Sequence, residues 1–413
     1  MENWDCAGFC HKYRARSFAG FRRRRFCRHQ AQLQKKASPI KTGVSQPAFD
    51  NEIHLISPPA VNRDQQGGYT FIVFGDTRTA QDDSKKEDLI FHKIRNSTHF
   101  EVKGELDQLA SFAVYTGDLI WRGSNNGYWQ QIRDQFPASL RSTSSPRIFP
   151  VIGNHESWQQ GGEGDAMANY FGTFPNLAQN GVQFHNYAFV IGNSLFVNLC
   201  SGGYGSDPQK FEEDDKAWNC EKVESFDKLM QSLGTLYGQL TYRGRKLSNI
   251  FVTYHKPSYS TFEHPPLNTG NDPLQTLLGF KKENPALKIF VFNGHNHVTE
   301  LFRPTPGVFA LVAGGGGAPQ KAGIPVDNHG KPMQELFWPA VGSDRYRRIN
   351  FFRASVGPSD ESVSIEERVF CANDDFAVLD YFKGVVIDKD GSVSYKGSRK
   401  YDCGFDQYLY LFQ

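Results

Sequence analysis

Five short apolar runs dominate the chain, and each stops at a residue able to hold a cation or an oxyanion. They are "TFIVF" (70–74), "SFAVYT" (111–116), "RIFPVI" (147–152), "NIFVTY" (249–254) and "KIFVF" (288–292). Each is apolar at successive positions rather than alternate ones, as a strand covered on both faces must be. Helical patterns at about 84–96, 126–140, 165–172, 221–240 and 273–283 separate the runs. Strands buried on both faces and alternating with helices predict an α/β sheet with helices against it. Residues 184–199 read as a hairpin turning at Gly192-Asn193, and Asp390-Gly391 marks a second. From "GVFALVAGGGG" (307–317) onward the chain is strand-rich.

A chain of 413 residues makes one large domain or two ordinary ones. We expect a basic tail and linker over 1–66, a catalytic domain over 67–355, and a strand-rich extension over 356–413 packing on that domain. The 34 Phe and 17 Tyr are enough to fill a sizeable core. No apolar run approaches the ~18 residues a membrane helix needs. The net charge of +2 hides an asymmetry: residues 1–36 hold ten Lys/Arg against Glu2 and Asp5, leaving the remainder at −6. A body of that charge offers no footprint for a duplex, so nucleic acid is not an expected partner. The tail reads as solvated chain, and its basic run lacks the apolar stretch of a signal peptide. Of seven Cys, the four in the body avoid C-x-x-C spacing, which argues against a zinc ribbon. Disulfides Cys200–Cys220 and Cys371–Cys403, or four free thiols, both remain open.

The chemistry lies where the runs end: "FGDTR" (74–78), "TGDLI" (116–120), "IGNHE" (152–156), "TYHKP" (253–257) and "NGHNH" (293–297). Open α/β sheets place ligands at the carboxyl ends of their strands. Convergence of these ends would gather Asp76, Asp118, Asn154, His155, His255, His295 and His297 in one cleft. A glycine before a functional residue lets backbone pass without a Cβ in the way. Carboxylate, amide oxygen and imidazole together suit Mn, Fe or Zn, and a shared carboxylate can bridge two ions roughly 3.5–4 Å apart. Such a pair would activate a water for in-line attack on a phosphoryl group.

The order GD … GD … GNHE … H … GHxH resembles the calcineurin-like metallophosphoesterases. "YHKPSY" (254–259) and "VFALVAGGGGAP" (308–319) are similar to the purple acid phosphatase branch. The resemblance implies a four-layer α/β/β/α sandwich of two mixed β-sheets flanked by helices, with a centre of two divalent or trivalent metal ions. It assigns Asp76, Asp118 and His297 to a first metal. Asp118 would bridge to a second metal held by Asn154, His255 and His295. His155 would contact the phosphoryl oxygens or protonate the leaving group, and Glu156 would orient the loop.

The chain departs from the family at the first metal. Many members carry Asp-x-His in the first motif; here the third position is Arg78, a cation with no lone pair to offer. Purple acid phosphatases supply a Tyr three residues after the second motif's Asp, and here that position is Trp121. Arg78 can grip phosphate oxygens bidentately, or turn away and pair with Asp82 or Asp83. Trp121, Trp129, Trp158, Tyr259 and His264 are candidates to line a substrate cleft.

These features predict a metal-dependent phosphoester hydrolase acting on a small phosphorylated substrate, more readily on monoesters. The alternatives are a phosphodiesterase with the same site and a silent binding protein with an impaired first position. Similarity to exported phosphatases favours export, against which the missing signal argues. Oligomeric state is open.

Overall fold

In the computed structural model of the chain, residues 52–79, 98–157, 164–200, 223–260, 272–317, 336–338, 348–358, 362–371 and 382–396 are described. All fall in a unit spanning Phe49–Gln413. The strands of its two large sheets, in chain order, begin with β1 His54–Leu55, β2 Tyr69–Phe74, β3 Phe112–Tyr115, β4 Ile148–Pro150 and β5 Tyr187–Ile191. There follow β6 Ser194–Asn198, β7 Asn249–Thr253, β8 Lys288–Asn293, β9 Thr299–Thr305 and β10 Val308–Ala313. The last are β11 Leu336–Trp338, β12 Arg348–Val356, β13 Val363–Cys371, β14 Phe382–Ile387 and β15 Val393–Lys396. The helices used below are α1 (98–108), α2 Asn126–Gln135, α3 Asn154–Ser157, α4 Ala166–Thr173, α5 Val223–Gln239 and α6 Pro273–Glu283.

One sheet runs β15-β14-β13-β12-β2-β3-β4, parallel only between β2, β3 and β4. The other runs β1-β5-β6-β7-β8-β10-β9-β11, with a parallel centre from β6 to β10. Both are therefore mixed. The five apolar runs of the sequence are the parallel strands β2, β3, β4, β7 and β8, and their carboxyl ends carry the five motifs.

Alternation along β2 and β7 sets the layers. The Phe71 ring meets Phe196 at 5.2 Å and Phe251 at 5.3 Å, both edge-on and both on the other sheet. Phe74, on the opposite face, meets His99 of α1 at 6.3 Å and Phe136 at 6.2 Å. On β7, Ile250 and Val252 share a cluster with Leu229 and Leu233 of α5 and Leu274 and Leu277 of α6. The order is helix, sheet, sheet, helix, the expected four-layer α/β/β/α sandwich, with an aromatic core between the sheets.

The 184–199 hairpin forms as expected: Ile191 pairs with Ser194 across a turn where Gly192 has φ 57°. The helix expected over 126–140 forms as two, Asn126–Gln135 and Ala138–Arg141. Pro137 excludes helical backbone from the residue before it, and Phe136 is extended (φ −113°, ψ 95°). Residues 80–97, including the helix expected at 84–96, lie outside the described ones, and α1 was not anticipated. Within the expected linker, His54–Leu55 pairs in parallel with β5. Among the described residues no helix is long and apolar enough to cross a membrane. Cys200 is disulfide-bonded, while Cys220 and Cys403 lie outside the described residues.

Candidate metal centre

Each motif sits on the turn that follows a parallel strand. Asp76 lies two residues beyond β2, Asp118 three beyond β3, and Asn154 opens α3 after β4. His255 and His295 lie two beyond β7 and β8. The turns are sharp enough to force left-handed backbone at Asp76 (φ 55°), Arg78 (φ 44°), Asp118 (φ 59°) and His295 (φ 68°). Only two other non-glycine residues among those described share it, so backbone strain concentrates at this cluster. The glycines allow close approach, as anticipated. A Cβ on Gly153 would stand 2.4 Å from Asp118 Oδ1, and one on Gly294 2.4 Å from Asp76 Oδ2.

Four donor atoms gather where the resemblance places the second metal. His255 Nε2 lies 3.2 Å from Asp118 Oδ1, 3.0 Å from Asn154 Oδ1 and 3.3 Å from His295 Nδ1. His295 Nδ1 lies 3.2 Å from the same Asn154 oxygen. A tetrahedron of ligands at roughly 2.0–2.1 Å from one ion has edges of roughly 3.3–3.4 Å, so these spacings suit a shared cation. His255 Nδ1–H donates to Thr116 O (2.8 Å), which turns Nε2 toward the other donors. The residues at this position fit a metal.

The first position is different. Asp76 accepts the His295 N–H on both oxygens (3.0 and 2.9 Å), and His297 Nε2 stands 3.8 Å from its Oδ1. Asp76, Asp118 and His255 bring one ligand atom each within 4.8 Å of one another. Arg78, however, turns into the site. Its Nε and Nη2 donate to Asp118 Oδ2 at 3.3 and 3.2 Å, and its guanidinium lies 5.5 Å from the Trp121 ring. The side chain does not turn away; Asp82 and Asp83 lie outside the described residues.

His155 donates Nδ1–H to Trp121 O at 2.8 Å, and its ring lies 4.6 Å from the indole. Its Nε2 is 3.6 Å from Asp118 Oδ2. Burial lowers the His155 pKa to about 3, helped by Arg78. Burial works against charge on Asp118 too, but His155, His255 and Arg78 outweigh it and hold the carboxyl well below its ordinary range. Because His155 is neutral at pH 7, the cations that sustain Asp118 are His255 and Arg78. His255 itself is opposed by burial, yet Asp118 and Asp76 raise it to about 9. Burial raises Asp76 well above the usual carboxylate range.

Glu156 orients, as expected: its carboxylate accepts the N–H of Asp118 (2.8 Å), Leu119 (2.6 Å) and Gly153 (2.8 Å). A further network was missed from sequence. Tyr115 Oη accepts the Thr77 N–H (3.0 Å) and donates to Asp118 O (3.1 Å), while His99 Nε2 lies 3.1 Å from Thr77 Oγ1. It ties the first two motif turns together. Nothing in the sequence distinguishes Tyr115 from an ordinary core aromatic. Of the cleft candidates, Trp129 is fully buried with Nε1–H donating to Gly123 O, so it packs rather than lines a cleft. Tyr259 is half-buried against Phe302. Trp158 and His264 lie outside the described residues.

No curated protein matches the chain. Similar solved structures include GAP50, the anchor in the inner membrane complex of Plasmodium, at 13% identity and TM-score 0.43, covering 76% of this chain and 87% of that one. A dimetal phosphatase from Danio rerio matches at 13% identity and TM-score 0.41 over 73% of this chain and 96% of its own. PhoD matches at 12% identity and TM-score 0.49 over 84% and 74%. The model of the calcineurin-like phosphoesterase family matches residues 68–299, a span holding all five motif turns and more than half of the chain. The chain belongs to the calcineurin-like phosphoesterase family, and is a metallophosphoesterase.

Proposed function

We propose that the chain hydrolyses phosphomonoesters at the cluster around Asp118, by in-line attack of an activated water on phosphorus. The observation that carries the reading is the 3.0–3.3 Å clustering of the Asp118, Asn154, His255 and His295 donor atoms. Bound metal (Mn, Fe or Zn) supplies a lowered water pKa and neutralisation of phosphoryl charge. Asp118, Asn154, His255 and His295 would hold it, with Asp76 and His297 alongside.

Arg78 adds a fixed positive charge beside the same carboxylate. A monoester dianion gains more from that charge than a diester monoanion, which supports the monoester preference. His155 rests neutral with Nδ1–H committed to Trp121 O, so Nε2 is the nitrogen that handles a proton. To protonate the leaving oxygen, Nε2 would first take a proton from solvent as the phosphoryl charge binds beside it, and then pass that proton on. The disulfide at Cys200 supports an oxidising compartment and so favours export.

Two chromogenic esters assayed with added Mn²⁺ test the proposal. The monoester is expected to exceed the diester in kcat/KM by at least tenfold, and His255→Ala to reduce monoester turnover by about a hundredfold or more. A preference for the diester overturns the substrate class. Metal bound without turnover of either ester would likewise remove the proposed substrate class.

A further inference from the structure

Asp118 has two carboxylate oxygens, and they face different partners. Oδ1 lies 3.2 Å from His255 Nε2, on the side where the four donors gather, and accepts the His155 N–H at 3.1 Å. Oδ2, the oxygen a bridging carboxylate would extend to a first metal, receives Nε and Nη2 of Arg78 at 3.3 and 3.2 Å. The arginine is held there by more than that pair. Its own N–H donates to Asp118 O at 2.9 Å, its backbone is left-handed, and Trp121 lies under its guanidinium. The side chain is only 12% exposed. A guanidinium has no lone pair and keeps its proton, so it can neither ligate nor step aside electrically. A dication beside Asp118 Oδ2 would face a fixed positive charge with one ligand oxygen already engaged.

We propose that this centre binds one metal, at the position formed by Asp118, Asn154, His255 and His295, and that the Arg78 guanidinium takes the place of the other as the second cation of the site. The inference rests on the metallophosphoesterase reading above and narrows it. Asp76 then acts through its bonds to the His295 N–H, fixing the turn that carries a ligand, rather than as a ligand itself. The guanidinium would then offer the substrate's phosphoryl oxygens the fixed positive charge that a second metal would otherwise supply.

The test is metal content and Mn(II) spin resonance of the full chain, saturated with Mn²⁺ and freed of excess. One ion per chain with the resolved hyperfine pattern of an isolated Mn(II) is expected. Arg78→His should raise the content to two and give an exchange-coupled spectrum, since histidine tolerates left-handed backbone and restores a nitrogen donor. Arg78→Ala should weaken inorganic phosphate binding to the metal-loaded protein at least tenfold. Two coupled ions in the unaltered chain overturn the inference while leaving the hydrolase reading intact; no bound metal overturns both. Unchanged phosphate affinity in Arg78→Ala removes the guanidinium's role. Should Arg78→His not fold, the stoichiometry of the unaltered chain still decides.

Discussion

His255 is the residue on which charge and metal binding meet. With its pKa raised from 6.5 to about 9, the imidazole of the metal-free protein is protonated at neutral pH, and Nε2 must lose that proton before it can ligate. Apparent Mn²⁺ affinity is therefore expected to rise about tenfold per pH unit below pH 9 and to level off above it, with about one proton released on binding. Calorimetry in buffers of different ionisation enthalpy reads that release. An affinity flat between pH 6.5 and 9 would contradict it. The same shift acts on the metal-free fold in the opposite sense: the protonated ring stabilises it fully below pH 6.5, and the gain is lost as pH rises through about 9.

At the level of elements, the site depends on two sheets meeting face to face. Phe71 of β2 contacts Phe112 on its own sheet and Phe196, Phe251 and Phe292 on the other, and it is fully buried. Phe71→Ala removes a large side chain from that seam and should cost about 3–5 kcal/mol of unfolding free energy, measured by urea titration. Because the residue lies five positions before Asp76, the surviving folded fraction should bind metal with unchanged stoichiometry. A loss below about 1 kcal/mol would mean that the aromatic seam does not hold the sheets together. The element boundaries that sequence patterns missed were set locally: Pro137 ended α2 early by constraining Phe136.

For the molecule as a whole, the C-terminal strands are part of the frame that carries the site. β12 pairs antiparallel with β2 from Phe352↔Val73 to Val356↔Tyr69, and β13 and β14 continue the sheet outward. Arg353 of β12 also clamps Glu105 of α1, with Nη2 2.6 Å from Oε1, and Arg368 of β13 reaches the same carboxylate at 2.9 Å. A chain ending before Arg348 would leave one edge of β2, the strand leading into Asp76, unpaired. Circular dichroism and metal content should show loss of both fold and bound Mn²⁺; a truncated chain that retained them would refute this dependence. The family match ends at residue 299, yet the strand beside β2 comes from beyond it.

The sequence by itself determined which residues end the strands that carry the site. Apolar runs that stop at Asp, Asn or His are local patterns, so Asp118, Asn154, His255 and His295 could be named as candidates without coordinates; the first two follow strands of one sheet and the last two strands of the other, and only the packing of the sheets brings their ends together. What Arg78 does was decided by tertiary structure. Its partner Asp118 is 40 residues away, and the pair forms because both residues sit in left-handed turns at the ends of adjacent strands. The Tyr115–Thr77–His99 network was hidden for the same reason: hydrogen bonds across sheet and helix depend on side-chain direction, which burial sets after the strands have paired.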